Sequence, residues 1–302
     1  MANKNKARKR ELSLWIEGAR LRTLPLAIAP VAAGYGAAAA AQGAKPGLAL
    51  LALAVALFLQ IGVNFANDYS DGIRGTDATR VGPLRLTGGG HVKADKVKRA
   101  AFIFFGLAAA AGIAIVLITQ IWWLIAVGLA AIIAAWFYTG GKSPYGYAAL
   151  GEVSVFIFFG LVATVGTAYI QLGYFDNNSI IAGVAMGALS SAVLMVNNIR
   201  DIDLDRHVGK KTLAVRVGKN WSKAIFLILI WLPMLIWLLF AVLYPATFFA
   251  IGAILLIAPA TLIVLTAKTP KELILVLKLT SFAALAYGVL LGWGLSVVAV
   301  SG

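Results

Sequence analysis

The chain has 302 residues, 61% of them hydrophobic and 13% charged, where a soluble domain carries about 25% charged residues; with a mean hydropathy of +0.89, this excludes a water-soluble globular protein. There is no Cys and there are only two His, which excludes disulfides, thiolate nucleophiles and cysteine-built zinc or iron–sulfur centres and leaves oxygen donors, hence magnesium or calcium chemistry, for any metal. The net charge of +14 reads as cationic loops retained on the cytoplasmic face of a membrane, with added attraction for anionic lipid or an anionic substrate, and not as a nucleic-acid footprint.

In chain order, the basic start "MANKNKARKR" and the later "AAAAAQGA" imitate a signal peptide and its cleavage site. The apolar stretch between them is longer than the usual core of such a peptide, and many more spans follow, so it reads as an uncleaved first span. A helix needs about 20 apolar residues to cross the hydrocarbon layer. Nine segments qualify: about 20–42, 47–67, 100–119, 121–138, 151–171, 179–198, 222–243, 246–266 and 274–299. Gly and Pro interrupt several of them, which spanning helices tolerate.

With the N-terminus in the cytoplasm, 25 of the 26 basic residues fall on the inner side, and only Lys45 lies outside. The positive-inside rule then places the C-terminus outside. The expected architecture is an all-α membrane protein of nine transmembrane helices. It forms a single domain, 1–302, with a cytoplasmic basic tail at 1–19 and two large cytoplasmic loops at 68–99 and 199–223. The location follows as a multi-pass protein of the cell inner (cytoplasmic) membrane.

Two acidic clusters stand at the inner ends of spans 2 and 6. The first is "NFANDYSDGIRGTD", residues 64–77; the second is "NNIRDIDLD", residues 197–205. Residues three or four apart share a helix face, which pairs Asn64 with Asp68, Asn67 with Asp71, and Asp201 with Asp205. Two helices that bring close carboxylates to one depth would form a four-carboxylate cavity. Like charges 4 Å apart repel by about 1 kcal/mol even in water, and a divalent cation removes that penalty. Magnesium prefers a few carboxylates, retained waters and substrate phosphate oxygens. Arginines and lysines alongside suit a diphosphate. Asp203 lies between its neighbours and points away, as a solvated residue. The alternative for either cluster is a solvated loop end.

These stretches resemble the two aspartate-rich motifs of the UbiA-type intramembrane prenyltransferases, and "YTGGK", Tyr138 to Lys142, resembles that family's Y-x-x-x-K motif. Within the family, "RLRTLPLAIAPVAAG", "GPLRLTGGG", "YTGGKSPYGYAALGEVSVFIFFG" and "NNIRDIDLDRHVGKKTLAVRVG" are similar to the 1,4-dihydroxy-2-naphthoate polyprenyltransferases of menaquinone biosynthesis. The 4-hydroxybenzoate branch has N-x-x-x-D-x-x-x-D; here Asn67 and Asp71 match, Gly75 stands at the last position, and Asp77 lies two residues on. The resemblance implies nine helices, a central cavity opening to the cytoplasmic side, active-site loops at 68–99 and 199–223, and a magnesium-dependent transfer. The polyprenyl chain would pass from its diphosphate to 1,4-dihydroxy-2-naphthoate, with loss of carbon dioxide, giving demethylmenaquinol. It implies that Asn67, Asp68, Asp71, Asp201 and Asp205 hold Mg2+, with Asp77 a further candidate. Lys142 would neutralise the diphosphate, and Tyr138 would orient it or shield cationic charge.

Other residues leave alternatives open. Arg22 holds the acceptor carboxylate or anchors the topology. Arg74, Arg80 and Arg85 are candidate phosphate clamps, and Asn64 and Asn198 are candidate substrate contacts. Glu152 serves as a helix-dipole partner or as a polar group of the cavity. "LTGGGH", Leu86 to His91, is a lid or a plain turn. Two rival functions remain at this stage: a secondary transporter, for which spans with ionisable groups and pseudo-repeats are also typical, and a lipid-binding assembly factor.

Overall fold

The computed structural model describes residues 12–76 and 84–298, and every element in them is helical. Seven helices are long and apolar enough to cross a membrane: α3 (Pro46–Ile73), α4 (Ala94–Thr119), α6 (Gly151–Leu172), α7 (Asn177–His207), α9 (Lys219–Leu243), α10 (Pro245–Thr266) and α11 (Leu273–Val298). α1 (Leu12–Thr23) and α2 (Pro25–Ala40) meet at a 46° bend and together make an eighth candidate. α5 (Leu124–Phe137) is apolar but has only 14 residues. α8 (Leu213–Val217) is a short connector.

Helix therefore lies in each of the nine expected stretches, but seven of them, or eight with the bent pair, have the length to cross. The expected 121–138 span is the shortfall. Ile121 to Trp123 form the turn after α4, so those apolar residues add nothing to the rise of α5. At the first span the ladder breaks where Arg20 takes a left-handed conformation (φ 53°) and Pro25, with no N–H to offer, starts a new helix.

The two segments expected as loops from 68 and from 199 begin as helix. α3 continues to Ile73 and α7 to His207. The physical reason is that their polar residues face inward and find partners there. Asn64, Asp68, Ser70 and Asp71 are buried on α3, and Asn198, Arg200, Asp201 and Asp205 are buried on α7. At its other end α7 is capped by Asp176, whose carboxylate accepts from the Ser179 N–H at 2.8 Å, a standard way to satisfy a helix N-terminus.

α2 and α7 form the centre. α2, "PLAIAPVAAGYGAAAA", is small-residued and buried nearly all round. Small residues let backbones approach closely in membranes: a Cβ on Gly36 would collide with the backbone of Gly292 on α11. The large core cluster joins α2 and α7 to α9, α10 and α11, with Met186, Leu189, Phe226, Ile257 and Tyr287 in its interior. α3, α4 and α5 lie on the other side and pack around Phe65, Ala101 and Phe105. α6 carries a seven-residue π-helical stretch, Phe156–Val162, a form that recurs at functional sites.

Candidate active site

A cavity of about 720 Å³ runs between the two halves. At one end it is lined by Asn67, Asp71, Arg85, Asp205 and Lys210; at the other by Ile113, Val116, Leu124, Ile125 and Ile170. Along α3 the lining extends from Ala52 to Asp71, a rise of about 28 Å. The cavity is thus a long apolar channel closed by a charged head.

Asp71 is the centre of the head. The Tyr147 hydroxyl donates to its Oδ1, Lys210 Nζ lies 3.4 Å from Oδ1, and Arg85 Nη2 lies 3.8 Å from Oδ2. Burial, and then the neighbouring Asp71 charge and hydrogen bond, push the Tyr147 phenol well above the usual tyrosine range. It therefore stays protonated and stays a donor. The Lys210 ammonium also sits 4.5 Å from the Tyr147 ring centroid, a cation–π contact. The backbone N–H of Lys211 donates to Tyr147 O at 2.9 Å, which ties the segment after α7 to the loop after α5.

Asp68 lies three residues back and does something different. It accepts the backbone N–H groups of Leu86 (2.8 Å) and Thr87 (2.8 Å), pinning the 84–92 loop onto α3. Leu86 is fully buried beside Phe65. Gly72 permits the contact: a Cβ there would come within 2.6 Å of Thr87 and 2.8 Å of the Gly88 nitrogen. Asp68 so fixes the turn that carries Arg85 to Asp71. "LTGGGH" is a pinned turn, with Gly90 in the left-handed region at φ +68°.

On α7, Asp201 takes two hydrogen bonds from Arg200, Nε and Nη2 both at 2.7 Å. Arg200 Nη2 also donates to Asn197 Oδ1 at 2.9 Å. Asn198 Nδ2 donates to Glu152 Oε1 at 2.8 Å, and Ser191 Oγ donates to the Glu152 backbone oxygen at 2.9 Å. Glu152 is buried and belongs to the polar lattice behind the cavity. Asn197, Asn198, Arg200 and Asp205 line the cavity; Asp68 and Asp201 sit behind it.

The structure brings together Asn64, Asn67, Asp71, Arg85, Tyr138, Asn198 and Asp205 in the lining of one cavity, which also includes the exposed Arg22. Asn67 Oδ1 accepts from Thr139 Oγ1 at 2.7 Å. Tyr138 packs edge-on to Tyr145, with centroids 5.5 Å apart. Arg74 donates to the backbone oxygens of Thr139 and Gly141 and stands outside the lining. Lys142 is exposed and also outside it. The lysine at the head is Lys210. Asp77 and Arg80 lie outside the described residues. Among the described residues no three His, Cys, Asp or Glu side chains form a group that could hold a metal by themselves, so the expected four-carboxylate cage is not preformed. Among the oxygen donors in the lining are Asn67, Asp71, Asn197, Asn198 and Asp205. This mixed, incomplete set suits magnesium, which keeps waters and takes substrate phosphate oxygens.

Tyr147, Lys210, Arg200 and Thr139 were not singled out by the sequence patterns. The only sequence signal was indirect: all four fall inside stretches similar to the naphthoate branch, Thr139 and Tyr147 in "YTGGKSPYGYAALGE" and Arg200 and Lys210 in "NNIRDIDLDRHVGKK".

Set beside known proteins, residues 27–282 match the model of the UbiA prenyltransferase family. A 1,4-dihydroxy-2-naphthoate octaprenyltransferase from Mycobacterium tuberculosis is 53% identical over 212 residues, covering 70% of this chain and 72% of that protein. One from Haemophilus influenzae is 36% identical over 298 residues, covering 95% and 97%. Among solved structures, a UbiA homolog from Archaeoglobus fulgidus bound to GPP and Mg2+ superposes with a TM-score of 0.62 at 18% identity, covering 94% of this chain and 99% of that one. That likeness speaks to the fold.

Proposed function

This chain belongs to the UbiA prenyltransferase family, and from that premise we propose that it transfers a polyprenyl chain from polyprenyl diphosphate to 1,4-dihydroxy-2-naphthoate. Carbon dioxide and diphosphate leave, and demethylmenaquinol is formed for menaquinone synthesis. The observation that carries the reading is the cavity's shape and chemistry: a head that carries the carboxylates of Asp71 and Asp205, the basic side chains of Arg85, Arg200 and Lys210, and amides, continuous with an apolar channel the length of a lipid tail. The rival transporter reading asks for ionisable groups near mid-membrane; here they gather at one end of the cavity.

The roles divide along the wall. Lys210, Arg85 and Arg200 neutralise the diphosphate, a task the sequence pattern gave to Lys142. Positive charge preset where negative charge grows on the leaving group is electrostatic catalysis. Asn67, Asp71, Asn198, Asp201 and Asp205 are the residues that would hold Mg2+, with Asp201 freed for it if Arg200 turns to the diphosphate. Magnesium supplies further charge neutralisation on the leaving oxygens. Tyr147 holds Asp71 in place. Tyr138, with its ring in the cavity wall, shields the allylic carbon as its bond to oxygen breaks. Arg22, in the lining, holds the acceptor carboxylate until it departs. The ring carbon that carried it, or its neighbour, takes the prenyl group, and the tail lies in the channel beside the bilayer.

The fold carries a matching proposal. The bent α1–α2 pair and the short α5 complete nine membrane helices, with the N-terminus and the cavity's charged head in the cytoplasm. The membrane is then the inner, cytoplasmic one, and the chain is a single domain. The test of function is to offer the purified protein 1,4-dihydroxy-2-naphthoate and 4-hydroxybenzoate, each with a prenyl diphosphate series and Mg2+. Carbon dioxide should appear one-to-one with prenylated naphthoate. Preferential use of 4-hydroxybenzoate, with its carboxylate retained, would overturn the acceptor; no magnesium-dependent transfer to either would overturn the reading.

A further inference from the structure

We propose that Gln60, Thr23 and Asn64 form the subsite that reads a hydroxyl group of the aromatic acceptor; the proposal rests on the prenyl-transfer reading above. Thr23 closes α1 at the bend. Its hydroxyl donates to the Arg20 backbone oxygen at 2.9 Å, and a hydroxyl has only one proton to give. Toward other side chains Thr23 therefore only accepts. It accepts from Gln60 Nε2 at 2.9 Å and from Asn64 Nδ2 at 3.0 Å. Asn64 Nδ2 gives its other proton to the Ala19 backbone oxygen at 3.0 Å. Both amides are thereby oriented, with nitrogen toward Thr23 and oxygen away from it.

The consequence falls on Gln60. Its side chain is buried at 6% exposure, it lines the cavity, and its Oε1 has no hydrogen-bond partner. A buried acceptor with no donor is destabilising in proportion to the desolvation it has undergone. On a side chain that lines a cavity, such a covered atom favours a ligand that brings a donor once the amide turns its oxygen toward it. The two substrates differ sharply in this respect. A prenyl tail carries no O–H or N–H, and the diphosphate presents acceptors. The dihydroxynaphthoate carries two phenolic O–H groups.

Position agrees. Gln60 lies one turn from Asn64 and eleven residues before Asp71 on α3, a rise of about 16 Å. It is clear of the diphosphate head. Leu26, Leu59 and Val63 line the same part of the wall and offer apolar faces to a flat bicyclic ring.

The test uses the whole protein in detergent or nanodiscs. Gln60→Met keeps the side-chain length and removes the amide. It should raise the KM for 1,4-dihydroxy-2-naphthoate about tenfold, the worth of a typical hydrogen bond, and leave the KM for the prenyl diphosphate within about twofold. Each mono-O-methyl ether of the naphthoate is then measured as a competitive inhibitor. One of the two should bind the unsubstituted protein about tenfold more weakly than its parent, and that difference should vanish in Gln60→Met, as a double-mutant cycle requires. A merely structural role would shift both KM values and leave the ether penalty intact; that result overturns the proposal. Should Gln60→Met not fold, the ethers decide alone: equal binding of both ethers and parent to the unsubstituted protein also overturns it. If the unsubstituted protein prenylates no hydroxynaphthoate, the functional reading fails and the subsite falls with it. If it does and the acceptor KM of Gln60→Met is unchanged, only the subsite is wrong.

Discussion

At the scale of single residues, the aspartates divide by what they touch. Asp71 meets a phenol and two basic side chains at the cavity head, while Asp203 is exposed on α7. Asp71→Asn should lower kcat at least a hundredfold and raise the magnesium concentration needed for half-maximal turnover, because a charged ligand has gone. Asp203→Asn should stay within about twofold. Radiolabelled prenyl transfer across a magnesium titration measures both, and comparable losses from the two would remove the case for a metal-binding Asp71. Tyr147→Phe deletes one donor to Asp71 and keeps the ring under Lys210, so a loss nearer tenfold is expected. Since the Tyr147 phenol titrates above its ordinary range, the unsubstituted enzyme and Tyr147→Phe should keep a constant ratio of rates from pH 7 to 9. The aspartates were legible because three- and four-residue spacing marks a helix face. Tyr147 was not, because its partner lies 76 residues away, and no local period encodes a meeting across that distance. Lys142 shows the complementary limit: its spacing from Tyr138 fits a motif, but spacing does not say where a loop side chain goes, and the turn at 139–144 leaves Lys142 exposed.

At the scale of elements, the C-terminal ends of α3 and α7 hold the head, and the 84–92 loop is held against α3 by Asp68. Gly72→Val inserts carbon where Thr87 and Gly88 now lie and should lift that loop. Arg85 would withdraw from Asp71, and kcat/KM for the prenyl diphosphate should fall about tenfold, with melting temperature little changed. Gly106→Ala, where an added Cβ meets nothing, is the matched control; equal effects of the two would show that the loop does not depend on Gly72. Gly36→Ala is expected to act on stability instead, since it overpacks the α2–α11 contact at about 1–3 kcal/mol, read as a lower melting temperature in detergent. Hydropathy located these helices well. It could not say which face of α2 meets which neighbour, since an apolar, small-residued helix buried nearly all round has no charged side to orient it. It also overran α5, because Ile121, Trp122 and Trp123 are as apolar as a span yet belong to a turn.

At the scale of the whole molecule, the charge asymmetry predicts which side the head faces. The native chain has no Cys, so single cysteines report without background. Lys93→Cys, exposed beside the pinned loop, should react with an impermeant maleimide only after cells are opened, while Gly47→Cys, at the start of α3, should react in intact cells. The reverse pattern would invert the topology. The short α5 has a consequence of another kind. Fourteen residues rise about 21 Å, against a hydrocarbon layer of about 30 Å, and α5 forms part of the cavity wall. Trp122 and Trp123 are exposed at its end, where tryptophans anchor to the headgroup level. On the proposal that α5 completes the nine membrane helices, lipid beside it is drawn thin, a hydrophobic mismatch relieved by elastic deformation of the bilayer at fractions of a kcal/mol per Å. The surrounding lipid becomes a mechanical load on the wall of the reaction chamber. In vesicles of increasing acyl length and constant headgroup, turnover should decline as the layer thickens past the reach of α5; equal rates across the series would mean that neighbouring helices carry the load instead.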